Sequence, residues 1–321
     1  MACLPASAGK GKEQIKRFAI KVDSTLTHNY YSISTDTNYI QRPPTKWTLK
    51  ARYNLSGSTI DGRGKMNDMD YRAHASAKLK GTISLVGSYT GITLAFTFNP
   101  GSITGHYKDY EFNTNEYYNR MGIDFIYHRA KSFKGWVRYA GQERTYIQKD
   151  LISQRAINFN WYYAFNYRRF SYPAAFSQSY IQRKSAGSFM LGASFQWQTL
   201  NIKADENVHN QHLKMKVANV GIGAGYGYNF ALPHQWLIHL SGLPTLIVYS
   251  HNKMWISDEQ QKTRYHFPEL IITGRLAVWR SFGRYFVGLT GVYNYTTIGN
   301  KNKLEITNTK WRTRAFFGVR F

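Results

Sequence analysis

The stretch Thr309-Lys310-Trp311-Arg312-Thr313-Arg314-Ala315-Phe316-Phe317-Gly318-Val319-Arg320-Phe321 alternates strictly. Trp311, Ala315, Phe317, Val319 and Phe321 fall on one face of an extended chain, and Lys310, Arg312, Arg314 and Arg320 on the other. A soluble strand buries its apolar face in a core, whereas a last strand that ends on Phe and repeats this pattern is how outer-membrane barrels close. The alternation recurs upstream: Leu49, Ala51 and Tyr53; Ile92, Leu94 and Phe96; Met121, Ile123 and Phe125; Ile157, Phe159 and Trp161; Phe189, Leu191 and Phe195. A soluble β-sandwich would keep its outer faces polar, and an open sheet of this size would expose edges that recruit other chains.

Alternation and turn residues predict twelve strands, at 46–56, 79–89, 91–99, 115–129, 132–140, 154–166, 186–199, 216–230, 235–250, 266–280, 283–296 and 306–321. Tight turns at Tyr89-Thr90-Gly91, Ala130-Lys131, Pro233-His234 and Ser281-Phe282-Gly283 alternate with longer polar loops at 57–78, 100–114, 141–153, 200–215, 251–265 and 297–305. Short turns on one side and long loops on the other are the outer-membrane arrangement. The expected fold is therefore all-β, a transmembrane antiparallel β-barrel of about twelve strands, covering 46–321.

Composition agrees. The 321 residues have 43% hydrophobic and 16% aromatic content, mean hydropathy is -0.47, and no run of apolar residues is long enough for a transmembrane helix. A barrel needs no such run, and 25 Tyr with 19 Phe suit interfacial girdles. The net charge of +24 raises nucleic acid as a partner, but Lys and Arg are spread along the whole chain rather than gathered in one arm. A basic lumen and basic loops are the reading adopted, with no nucleic-acid partner. The single cysteine, Cys3, excludes disulfides within the chain and cysteine-metal sites.

Residues 1–8 read as the remnant of a secretory signal, with Ala6-Ser7-Ala8 as its cleavage site, and residues 9–45 as a polar periplasmic segment leading to the first strand. One connection departs from the rule of short turns. Between the sixth and seventh strands runs Tyr167-Arg168-Arg169-Phe170-Ser171-Tyr172-Pro173-Ala174-Ala175-Phe176-Ser177-Gln178, too aromatic to lie idle in water. It is expected to fold into the lumen as a plug or constriction, through Phe170, Tyr172, Pro173 and Phe176, or to pack on the periplasmic rim.

The run Phe170 to Phe176, the stretch Gln182-Arg183-Lys184-Ser185-Ala186-Gly187-Ser188, and Asp36-Thr37-Asn38-Tyr39-Ile40 with Trp47 resemble a family of Bacteroidota proteins, domain of unknown function 4421. The resemblance runs over roughly residues 20–321 and implies an envelope β-barrel in the outer membrane of a Gram-negative bacterium. It brings no activity and no functional residues.

Chemistry has to come from the inward face. Alternation turns Lys50, Arg52, Arg120, Arg138, Arg275, Lys310, Arg312, Arg314 and Arg320 inward, against Asp124 and Glu269. In a closed barrel Lys50 and Arg52 face the Lys310, Arg312 and Arg314 column across the closing seam, where like charges repel unless solvated or paired with anions. Gly221, Gly223, Gly225 and Gly227 also point inward, making space for a solute or a close backbone, or letting the strand bend.

Other chemistry is weaker. Asp124 and His128 share a face but are about 13 Å apart at 3.3 Å per residue, too far to act as a base and its orienter. A lipid hydrolase would need an outward Ser-His pair; His239 and Ser241 point inward and read as a solvated lumen pair. His209, His212, Asp205 and Glu206 make a loop cluster with no specific metal pattern, and Gly62-Arg63-Gly64-Lys65 is only a basic turn rather than a phosphate loop. No enzyme activity, metal or cofactor is expected. Two functions remain: a narrow channel or solute-binding barrel with an electropositive lumen for small anions or acidic saccharide fragments, or a plugged barrel that serves as a subunit of an envelope complex. Outer-membrane lipid and lipopolysaccharide are the expected surroundings in either case.

Overall fold

A computed structural model describes residues 7–32, 35–66, 69–90, 92–98, 100, 109–148, 150–204, 212–257, 259–261, 269–299 and 304–321. Twelve strands form the wall: β1 (Trp47–Met66), β2 (Lys80–Tyr89), β3 (Ile92–Phe98), β4 (Tyr110–Tyr117), β5 (Met121–Ala130), β6 (Ile152–Ala164), β7 (Ala186–Ile202), β8 (Leu213–Leu232), β9 (Trp236–Ile256), β10 (Leu270–Phe282), β11 (Tyr285–Gly299) and β12 (Leu304–Arg320). From β4 to β12 every strand pairs antiparallel with the next, β12 pairs with β1, and the ladder continues through β2 to β3. Among the described residues no ladder joins β3 to β4.

The closing ladder sets Val319 against Leu49, Phe317 against Ala51 and Ala315 against Tyr53, apolar on apolar. Because side chains alternate, one outward row fixes the other: Lys50, Arg52, Lys310, Arg312 and Arg314 all turn inward. The register also staggers them, since Arg52 lies opposite Phe316 and Lys50 opposite Gly318. No two of these cations are directly cross-strand partners.

The outer surface explains the medium. Leu94 is 79% exposed, Phe189 71% and Leu240 60%, and similar apolar side chains stand out from the other wall strands. A contiguous apolar belt of this extent would aggregate in water, whereas hydrocarbon accepts it. No helix among the described residues is long and apolar enough to cross a membrane, and a barrel crosses with strands. Arginine in place of Leu240 is expected to lower unfolding free energy by about 2–4 kcal/mol if that site lies near the bilayer midplane. Denaturant titration in lipid vesicles reads this directly, and an unchanged value would remove Leu240 from the lipid-facing belt.

The number of wall strands agrees with the sequence, but their membership differs. The span 115–129 is two strands, β4 and β5, joined by a turn in which Tyr118 N donates to the Met121 carbonyl at 2.8 Å. Inward parity flips across that turn, from Glu111, Asn115 and Tyr117 to Asp124 and His128, which a single alternating run conceals. The Ala130-Lys131 turn consequently lies at the long-loop end. The strand Lys134–Tyr139 pairs with Met69–Ser76 and with Thr145–Ile147 above the wall rather than in it. Residues 57–66, expected in a loop, instead extend β1.

Residues 7–32 form a helix, α1, where a polar lead-in was expected. The segment holds strong helix formers with no Gly or Pro after Gly11, and an Arg17–Glu13 pair at 2.7 Å spans one turn. Asp23 ties α1 to the barrel through Lys46 at 3.2 Å and the Tyr89 hydroxyl. The readings on Cys3 and Ala6 lie outside the described residues.

Of the inward glycines, Gly223 and Gly225 lie against the backbone of β9 at Gly242, Leu243 and Pro244, where any Cβ would collide. The ladder shifts register between Val220 and Gly221, and Pro244 has no N–H to donate. Strand bending explains these two. Gly227 serves the other purpose, since a Cβ there would come within 3.1 Å of the Phe170 ring of the plug.

Candidate functional site

The segment between β6 and β7 folds up into the barrel from the short-turn end. Residues Tyr172–Phe176 form a one-turn helix, α2, whose cap is Ser171: its hydroxyl accepts from Ala174 N at 3.1 Å. Pro173 sits in the first turn, where a missing N–H costs nothing. Phe170 to Ala175 are buried without exception, against Tyr162, Met190, Leu237, Leu243, Ala277, Trp279, Phe286 and Phe316 on the inner wall. Tyr117, Tyr172 and Phe176 stack at centroid distances of 5.3 to 6.3 Å. Of the two expected placements, the plug is the one adopted.

Polar bonds fasten this plug. The Gln182 amide accepts from Ser171 N at 3.2 Å and Asn229 Nδ2 at 2.9 Å, and donates to the Arg169 carbonyl at 2.6 Å. Asn229 Nδ2 also donates to the Ser171 carbonyl at 2.9 Å, so its oxygen is left to face His239 Nδ1 at 2.7 Å. That contact assigns the His239 proton to Nδ1 and makes Nε2 the acceptor for Ser241, 2.9 Å away. The His239–Ser241 pair, expected to be solvated, is instead dry: Phe170, Tyr172 and Phe176 cover it, and the Tyr172 hydroxyl reaches Ser241 at 3.1 Å. The Ser-His-Asn chain thus fastens the plug to β8 and β9.

Above the plug lies the layer of charges. Lys50 Nζ donates to the Ser177 carbonyl at 2.5 Å and Gln178 Oε1 at 3.1 Å, and Arg320 donates to the Gln178 carbonyl at 3.0 Å and Ser281 at 3.1 Å. Plug carbonyls therefore satisfy part of the basic lumen. Arg275 pairs with Asp124, both side chains under 5% exposed, and stacks on Tyr162. Glu111 receives Lys310 at 2.9 Å and lies 3.8 Å from Arg312, while Arg314 donates to Asn115 at 2.8 Å. Glu111 escaped the sequence reading because 100–114 was taken as loop; it is an inward acid, whereas Glu305 shares the outward parity of Trp311 and Ala315 and holds Arg63 there at 2.5 Å. The lumen is less electropositive than alternation alone implies.

Asp124 and His128 go to different partners, His128 to Gln154 at 3.3 Å. Toward the long-loop end a second apolar cluster fills the lumen, with Phe133, Ile147, Ile152, Leu200, Met215 and Val217 buried. It was not foreseen. The barrel interior is apolar at both ends and charged between them.

Two of the expected inward cations are placed elsewhere. Arg120 lies in the turn between β4 and β5, exposed, its guanidinium over the Tyr167 ring at 4.4 Å. Arg138 lies opposite Arg72 in the strand above the wall, and alternates with Val137, which packs on the inner cluster; it faces away from the lumen. Gly62 to Lys65 is strand rather than turn. Asp205, Glu206 and His209 fall outside the described residues, and His212 bonds Asn201 at 2.7 Å. No cluster of three potential metal ligands occurs among the described residues.

No curated protein matches the sequence. Among solved structures, the outer-membrane protease OmpT of Escherichia coli is similar at 9% identity and TM-score 0.42, over 89% of this chain and 100% of that one. The translocator domain of autotransporter NalP from Neisseria meningitidis gives 12% and 0.35 over 98% and 97%, and the P. putida toluene transporter TodX 7% and 0.24 over 87% and 91%. With scores this low, the barrel stands on its own strand register and apolar belt. The family model described as a domain of unknown function, DUF4421, matches residues 34–321, and the chain belongs to that family.

Proposed function

We propose that the protein resides in the outer membrane of a Gram-negative bacterium as a barrel plugged at its periplasmic end, and that it works by what it binds rather than by what it passes. The observation that carries this reading is the buried plug, with its hydrogen bonds to three wall strands. The apolar cluster at the other end adds to it. In planar bilayers the native barrel should conduct nothing at steady state. Steady open-pore current from the full chain would overturn the proposal.

The anion channel survives as a second reading, favoured by one observation: Lys50 and Arg52 have no carboxylate partner among the described residues. If deletion of residues 167–185 yields pores, fixed positive charge should make them anion-selective at low salt. The preference should fade as the Debye length shortens from about 10 Å at 0.1 M to about 3 Å at 1 M. Changing Arg312 and Arg314 together to Gln should reduce it, and cation-selective pores would refute this second reading.

A further inference from the structure

Among the described residues the wall has one unclosed joint. There β3 pairs only with β2, and β4 only with β5, so two strand edges without a ladder face each other in a ring that is otherwise hydrogen-bonded. In hydrocarbon an unsatisfied backbone group costs several kcal/mol, which is why spanning barrels close. On the inner side of this joint, Glu111 and Asn115 of β4 bond Lys310 and Arg314 on β12.

A cavity of about 300 Å³ occupies this joint, at the small end of the roughly 300–1,000 Å³ found for ligand pockets. Its lining changes character from outside to inside. Leu94 and Phe112, which belong to the lipid-facing belt, form the mouth; Lys50, Arg52 and Arg314 stand at the back. Ala95 and Thr97 point inward by their register with Val86 and Ser84, yet both are exposed, as residues at an open rim must be. Arg52 Nε is buried without a hydrogen-bond partner. A carboxylate, Glu116, sits on the lip, on the outward face of β4.

The geometry points to a lateral binding site for an amphiphile with an anionic head, carboxylate or phosphate, on an apolar tail. The head would lie among Lys50, Arg52 and Arg314, relieving repulsion between neighbouring cations, and the tail would leave between Leu94 and Phe112 into the bilayer. Entry is sideways, so the plug need not move. This goes beyond the plugged-barrel reading and rests on the barrel standing in a lipid bilayer.

Native mass spectrometry of the full-length barrel in neutral detergent tests the site, with palmitate and phosphatidylglycerol as charged probes and hexadecanol and diacylglycerol as uncharged ones. One charged probe per barrel is expected, with the matched uncharged probe at least about tenfold weaker. Binding of palmitate alone would identify a free fatty acid as the occupant; binding of phosphatidylglycerol, a membrane lipid headgroup. Arg52→Gln should weaken the charged probe about tenfold without changing the uncharged one. Ala95→Trp, which fills the rim and leaves the charges intact, should exclude both. Equal binding of charged and uncharged probes, or no response to Arg52→Gln in a barrel that remains heat-modifiable on gels, would overturn the site and leave the barrel standing. A native chain that is not heat-modifiable would overturn both.

Discussion

Asp124→Asn should lower the unfolding free energy by about 3–5 kcal/mol, because it strands Arg275 in the lumen without its carboxylate. The Arg275 side chain is 1% exposed, and its other neighbours are neutral tyrosines, the face of Tyr162 at 4.7 Å and the side chain of Tyr172, which offer far less than a carboxylate. Asp124 also accepts from Asn115 at 2.6 Å and Tyr117 at 3.2 Å, so the change loosens β4 and the top of the aromatic stack together. Arg275→Met in the Asp124→Asn background should recover most of the loss, since removing both charges spares the lumen an unpaired one. Reversible denaturant unfolding followed by tryptophan fluorescence measures all three proteins. A single variant within 1 kcal/mol of native would show that water, not Arg275, solvates Asp124.

The second large effect is expected at the plug. Phe170→Ala removes a fully buried ring that meets Tyr172 edge-on at 5.2 Å and fills the space over Gly227. Truncation of a core Phe costs about 3–5 kcal/mol where the site cannot collapse, and the barrel wall is too stiff to follow. The loss should fall on the plug rather than on the wall, because the wall ladders do not pass through Phe170. Limited proteolysis from the short-turn end should therefore cut between 165 and 185 at least about a hundredfold faster than in the native protein, while the heat-modifiable band persists. Equal cutting rates would mean that the hydrogen bonds of Gln182 and Asn229 hold the plug without the ring.

The wall was legible because lipid and lumen impose a period of two on every strand, and Phe189, Leu191 and Phe195 or Ala315, Phe317 and Val319 display it without interruption. The plug was legible from composition alone, as an aromatic run where a turn belonged. What alternation cannot convey is where a strand folds back on itself. At Tyr118 to Arg120 the period resumes with opposite parity, and the error carried Arg120 into the lumen, while Glu111 was missed because 100–114 reads as a loop. The apolar cluster around Phe133 was hidden for a different reason. Its members come from strand ends and connections that are distant in sequence, so no local pattern announces that they meet. The pairing of Asp124 with Arg275, 151 residues apart, is of the same kind.

The two-residue ladder of Ile40–Gln41 with Ile181–Gln182 has a consequence for the order in which the molecule assembles. In an unfolded chain it would close a loop of about 140 residues, at an entropic cost of about 4 kcal/mol. Its few hydrogen bonds, at about 1 kcal/mol each, do not offset that. Wall strands, by contrast, join sequence neighbours through short connections, and only the meeting of β12 with β1 spans the whole domain. The ladder therefore forms after the wall has already brought residues 40 and 182 together. Each newly made molecule therefore passes through a stage in which the wall ladders are formed and the segment around residue 40 is not yet tied to residues 181–182.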